Sequence, residues 1–151
     1  MFKNPDFTFN KDKMVKNIMA GIILLVILAI SGDGPYKDGV YTGSSRSYYT
    51  DEPYYGFSEI TIEKGRIIKV GFYIRDSARH VLFDGGYEKY FAGNDEYIRQ
   101  CRNDWRGINS YPDSLLKRQD PERVDAITGA TWSYNIFRAS VREALSGAEK
   151  K

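Results

Sequence analysis

The chain has 151 residues, 42% hydrophobic and 15% aromatic, with 22 Lys and Arg against 20 Asp and Glu and a single cysteine. That length suits one domain, or one domain behind a leader. One cysteine excludes an internal disulfide and a thiolate metal site built from the chain's own residues, and the near balance of charge lacks the basic excess that drives nucleic-acid binding.

Lys11, Lys13 and Lys16 precede an apolar run over residues 18–30, after which Ser31, Gly32, Asp33, Gly34 and Pro35 form a flexible exit. The run is short for a spanning helix, which needs about 20 apolar residues. It is close in length to the core of a secretory signal, and Ala29 and Ser31 offer the small residues that a signal peptidase prefers. Residues 1–31 are therefore expected to be a basic flank plus a signal peptide or membrane anchor, with all that follows outside the cytoplasm. No cysteine follows the run, so a lipoprotein-type anchor is not expected. Residues 1–30 hold four Lys and two Asp, which leaves eighteen charges of each sign for the rest, a formally neutral domain. The expected layout is a linker over 32–37, a domain over 38–146 and a polar tail over 147–151.

A first strand is expected over residues 40–44. A polar loop, S-S-R-S-Y-Y-T-D-E-P-Y-Y-G, then brings Tyr48, Tyr49, Tyr54 and Tyr55. Such a cluster serves to stack on an aromatic ligand, to bind sugars, or simply to pack beside a sheet. Tyr55 is the preferred ligand contact because it directly precedes the Gly56 that opens the next element.

Residues 57–74 have the pattern of a hairpin. Ile60 and Ile62 alternate with polar residues, as do Ile68, Val70, Phe72 and Ile74. A regular two-residue turn at Lys64 and Gly65 would put the two apolar rows on opposite faces of the sheet. A three-residue loop of Glu63, Lys64 and Gly65, with Gly65 left-handed in a bulge, sets Ile60 opposite Ile68 and joins the rows.

His80 stands alone, and Asp76 and Asp84 have no ligand spacing around it, so a structural or surface role is expected rather than a metal. Two short helices are expected over residues 94–105 and 112–119. In the first, Asn94 caps, and Tyr97, Ile98, Cys101 and Trp105 share a face, which makes Cys101 a packed small hydrophobe. In the final helix Ile136, Phe137, Val141, Ala144 and Leu145 recur at helical spacing. Thr131 and Ser133 then fall at its entry turn, where free backbone N–H groups attract anions. Gly129 and Ala130 leave almost no bulk beside that turn. A capped loop with nothing bound is the plain alternative for the same residues. The class is α+β, a small, mainly antiparallel sheet with packed helices.

The stretch from Asp125 to Thr131, D-A-I-T-G-A-T, resembles the D-x-x-S/T-G-A-T signature of the FMN-binding domain family. That family includes the flavin-carrying subunits of Rnf and Na+-translocating NADH:quinone reductase complexes. Residues 38–43, the G-F-S-E-I-T-I-E-K-G-R-I-I-K-V hairpin and the S-Y-N-I-F-R-A-S-V-R-E-A-L helix are similar to further parts of it, so the likeness spans most of residues 38–145; residues 77–110 are the least recognisable. The resemblance implies that a flavin transferase splits FAD and joins the FMN phosphate to the Thr131 hydroxyl. It implies that Asp125 assists that reaction or fixes the loop. By position, Thr128 and Gly129 shape the loop, Ser133 caps the helix or meets phosphate, and Trp132 contacts the ring or docks the helix.

The expected function is an extracytosolic, membrane-associated electron carrier with covalent FMN on Thr131. It would be a redox subunit and transferase substrate rather than a free-standing enzyme, with redox partner proteins and, in one arrangement, an ion-translocating complex around it. The rival is a non-redox cell-surface binding module that recognises its ligand through the Tyr-rich loop. A free-standing flavin reductase is disfavoured because no G-x-G-x-x-G follows a strand.

Overall fold

The computed structural model describes residues 34–46 and 52–150. The basic flank and apolar run of residues 1–31, and Tyr48 and Tyr49, lie outside the described residues. Four antiparallel strands follow one another in a meander: β1 (Gly39–Arg46), β2 (Tyr54–Glu63), β3 (Arg66–Asp76) and β4 (Val81–Leu82). A 3-10 turn over Tyr87–Phe91 leads into the long helix α1 (Asp95–Arg118), and a second over Pro121–Arg123 precedes α2 (Thr131–Ser146). The fold is α+β, as expected. Among the described residues no helix is long and apolar enough to cross a membrane.

Alternation decides which face of the sheet the helices cover. Ile60, Ile62 and Ile74 are buried while Glu59 and Glu63 are exposed. Both helices lie on the isoleucine face, and Leu115 of α1 and Phe137 and Val141 of α2 complete the core there. Burial of a side chain such as Phe137 contributes about 2 kcal/mol. The approach of α2 is close because glycine occupies the two crossing points. A methyl added at Gly43 would lie 2.1 Å from the Ser140 carbonyl oxygen, and one at Gly56 would lie 2.2 Å from Ile136 Cγ2. Between them the buried hydroxyls of Ser58 and Ser140 bond to each other at 2.7 Å. A second cluster, Ile74, Phe83, Tyr87, Cys101, Ile108 and Ile136, fills the space under the 3-10 turn.

The hairpin joins its apolar rows by a route other than the expected three-residue loop. Glu63 pairs with Arg66, so the turn has two residues, and Lys64 and Gly65 both have positive φ, 52° and 71°. That is the condition of a type I′ turn, which suits hairpin twist. The register then shifts: Ile62 faces Ile67 but Thr61 faces Lys69, which leaves Ile68 as the extra residue of a bulge and sets Ile60 opposite Val70. Ile68 is 48% exposed. The bulge has a tertiary cause. The Gln119 side-chain amide accepts from the Ile67 N–H and donates to the Ile67 carbonyl, both at 2.8 Å.

The two short helices expected over 94–105 and 112–119 are one continuous α1 that carries Gly107 and Pro112 in its interior. Pro112 removes a helix hydrogen bond at a cost of about 3 kcal/mol, and buried Ile108, Tyr111 and Leu115 on either side of it offset that loss. Gly107 lets α2 come close, since a methyl there would meet Ser133 Oγ at 3.0 Å. Asn94 caps the helix by accepting from the Tyr97 N–H, as expected. At the chain ends, the segments expected as linker and tail pair with each other. Lys37 N–H donates to the Ala148 carbonyl and Lys150 N–H to that of Pro35.

Candidate functional site

The loop before α2 is held on both sides. Glu122 forms ion pairs with Arg138 and Arg142, and the Tyr134 hydroxyl donates to the Val124 carbonyl at 2.6 Å. Ala130 N–H then donates to the Ile127 carbonyl across a tight turn whose third residue, Gly129, has φ of 79°. Only glycine adopts that φ freely. A side chain there would also strike Asn103, with Cβ 2.7 Å from Nδ2. Ala130 is fully buried, and its carbonyl accepts from Tyr111 Oη, Ser133 Oγ and the Tyr134 N–H.

Thr131 is the first residue of α2 and is exposed, whereas Ser133, two residues on, is completely buried. The residue before the helix, Ala130, has no side chain to cap it. Asp104 of α1 supplies the cap instead: Oδ1 accepts from the Ser133 N–H at 3.1 Å and from Ser133 Oγ at 2.8 Å. Gln100 completes the clamp, donating to Asp104 Oδ2 at 2.6 Å and to the Gly129 carbonyl at 3.0 Å. The N–H groups of Thr131 and Trp132 have no acceptor inside the helix, so the anion-attracting turn opens beside the Thr131 hydroxyl. Asp104 itself is 1% exposed, and burial raises its pKa against the pull of the Gln100 and Ser133 bonds.

Next to Thr131, a cleft of about 190 Å³ is lined by Glu52, Tyr54, Phe83, Phe91, Tyr97, Gln100, Cys101, Asp104 and Trp132. Its walls are mainly aromatic. Trp132 is pinned by a bond from Nε1 to Glu52 at 2.8 Å and by edge-on contact with Tyr54, ring centroids 5.1 Å apart. Tyr54 is held in turn by the Tyr87 hydroxyl at 3.0 Å, and Tyr87 donates to the fully buried Asp76 at 2.5 Å. Burial raises the Asp76 pKa, but the Tyr87 and Arg79 bonds outweigh it and hold the carboxyl below its ordinary value. Burial pushes the Cys101 thiol up to about 11, as befits a packed rather than reactive cysteine. A larger groove of about 540 Å³ runs along β1, β2 and β3 beside Glu143. It includes no residue of the loop before α2, whereas the smaller aromatic cleft is lined by Trp132, next to Thr131 in the chain.

Among the residues singled out by sequence, the structure brings Gly129, Ala130, Thr131, Trp132 and Ser133 together at one helix end. Asp125 and Thr128 are exposed in the incoming loop, and Asp125 makes a loose ion pair with Arg118 at 3.8 Å. Strand alternation puts Tyr55, the tyrosine preferred by sequence, on the opposite face of β2 from Tyr54, which is the tyrosine that meets Trp132. His80 is exposed, and among the described residues no His, Cys, Asp and Glu cluster could hold a metal. Sequence reasoning named Tyr54 only within the tyrosine cluster, behind Tyr55, and did not single out Phe83, Phe91, Gln100 and Asp104. A signal existed for part of this set, because Tyr97, Gln100, Cys101 and Asp104 recur at helical spacing on one face of α1.

The model of the FMN-binding domain family matches residues 57–146, which include the hairpin, α1, the loop and all of α2. The chain belongs to the FMN-binding domain family. Its members bind flavin, and the open helix end with an aromatic cleft beside it fits a flavin phosphate and ring. The 15 kDa lipoprotein of Treponema pallidum (strain Nichols) is 25% identical over 138 residues, covering 91% of this chain and 94% of the relative. Among solved structures, the CPE2226 protein from Clostridium perfringens shares the fold, with a TM-score of 0.52 and 23% identity over 75% of this chain and 88% of that one.

Proposed function

We propose that this FMN-binding domain carries its flavin covalently, by a phosphoester to Thr131, and serves as an electron carrier on the extracytosolic face of a membrane. One observation carries the reading: Thr131 presents an exposed hydroxyl at the first position of α2, immediately before the tryptophan that walls an aromatic cleft. In the attachment step the bond from Thr131 Oγ1 to the FMN phosphorus forms as the bond to AMP in FAD breaks, and the hydroxyl gives up its proton. Asp125, exposed in the loop, is placed where a transferase could use or grip it. Gly129 keeps the approach clear, and Trp132 and Tyr54, set edge-on to each other, give the ring aromatic cleft walls. Bound flavin accepts one or two electrons, which joins a hydride-type donor to one-electron partners. Redox partners, including the subunits of an ion-translocating complex, would dock at the mouth of this cleft.

The lipoprotein name belongs to the Treponema relative, and it supports a place at a membrane. In this chain the sole cysteine is buried in α1, so the attachment is assigned to the apolar run of residues 18–30.

The test is co-expression with a flavin transferase, followed by intact mass and denaturing-gel fluorescence. Wild type is expected to gain the mass of FMN and a fluorescent band, and Thr131→Val to lose both while staying folded. A band that persists in Thr131→Val, or never forms in wild type, rejects the reading in favour of a non-redox binding module.

A further inference from the structure

The cleft wall holds a group that flavin attachment does not need. Asp104 is a carboxylate with 1% exposure, and it lines the cleft rather than the solvent. Among the described residues, the titratable groups that face it are Glu52, Tyr54, Tyr97, Cys101 and Tyr111, none of them cationic. Its three donors, the Ser133 N–H, Ser133 Oγ and Gln100 Nε2, are all neutral. Charge buried without a cation is costly, and groups held in that way cluster where chemistry uses them. Capping α2 can be done by a neutral acceptor such as Asn or Ser, so the cap does not require a charge. Glu52 adds a second carboxyl to the same cleft, bonded to Trp132.

We propose that Asp104, supported by Glu52, sets the reduction potential of the flavin held in this cleft, its fixed negative charge disfavouring electron uptake by the ring. The proposal rests on the flavin reading above. Burial raises the Asp104 pKa, while its three donors and the positive end of α2 stabilise the carboxylate. Near neutral pH a bound ring would take up two electrons but only one proton on reduction, and so would gain one net negative charge. A neighbouring anion opposes the electrons more strongly than they would be opposed in water, because the aromatic walls screen poorly. The effect is a carrier that gives its electrons away readily.

The experiment uses the full chain, flavinylated by co-expression with a flavin transferase. Reductive titration with dithionite and reference dyes gives the midpoint potential. Sulfite, which adds its electron pair to ring nitrogen N5, gives an independent measure of how well the ring tolerates added charge. Asp104→Asn and Glu52→Gln are each expected to raise the potential and to tighten sulfite binding, by about tenfold for Asp104→Asn. A purely structural role for Asp104 would lower the melting temperature and leave both readouts unmoved. Carboxyl NMR on the flavin-free Thr131→Val protein asks separately whether Asp104 is ionised at neutral pH, which does not depend on Asp104→Asn folding. A protonated Asp104, or a folded Asp104→Asn with unchanged potential and sulfite affinity, overturns the assignment while the flavin reading stands. A wild-type chain that takes up no flavin overturns both.

Discussion

Thr131 and Ser133 sit two residues apart with opposite fates, and that difference shapes the residue-scale predictions. Ser133 is sealed against Asp104, whereas Thr131 projects into solvent. Thr131→Val is therefore expected to cost less than about 0.5 kcal/mol, the range of surface substitutions, because Asp104 and not Thr131 caps the helix. A urea melt of the flavin-free proteins checks this. Tyr87 is the opposite case. Tyr87→Phe removes a donor to buried Asp76 and is expected to cost roughly 1–3 kcal/mol at neutral pH. The sign of the pH effect follows from the depressed Asp76 pKa: its stabilisation is present above the unfolded-state value and is lost as pH falls below about 4. The gap between wild type and Tyr87→Phe should therefore narrow in acid, and melts at pH 7 and pH 3 test it.

At the scale of elements, the β2–β3 hairpin depends on two contacts from elsewhere in the chain. Gly65 is left-handed, and a side chain there would also strike the backbone of Gly34 at 2.4 Å. Gly65→Val is expected to destabilise by roughly 1–3 kcal/mol, and equal melting temperatures would reject the type I′ turn. Gln119 holds the bulge from the end of α1. Gln119→Ala is expected to cost about 2 kcal/mol, one for each hydrogen bond lost at Ile67. Hydrogen exchange should rise first at Ile67 and its neighbours, not across the whole sheet. The hairpin was legible because alternation is a local signal, but its two-residue Lys64-Gly65 turn, set aside in favour of a three-residue loop, and its register were not. Nor was the bulge, because the group that stabilises it lies 52 residues away. The unbroken α1 was hidden for a similar reason, since Gly107 and Pro112 read as helix breakers until the packing around them is known.

For the whole molecule, the expectation is a domain delivered outward across a membrane. A reporter fused after Lys151 should be active outside the cytoplasm, because the basic flank precedes the apolar run. Activity only inside would remove the route by which the chain meets the flavin transferase. The helices bury one face of the sheet, and Glu143 of α2 closes the free edge of β1 by accepting the Ser44 N–H at 2.7 Å. An edge bonded in this way is a poor template for pairing with another chain.

The sequence by itself determined the class of fold, the hairpin, the capped start of α1 and the helix that follows the D-A-I-T-G-A-T loop. Each depends on residues close together in the chain, through periodicity, turn chemistry or a cap. It also determined which hydroxyl to examine, because the motif places Thr131 at a helix entry. Only the tertiary structure decided that Tyr54 and not Tyr55 faces Trp132, that Asp104 caps α2 from another helix, and that the aromatic cleft lies beside Thr131. These are contacts between β2, the 3-10 turn, α1 and α2, and their partners are set by how the helices lie on the sheet. Local pattern says which face of an element is apolar, but not which other element will meet it.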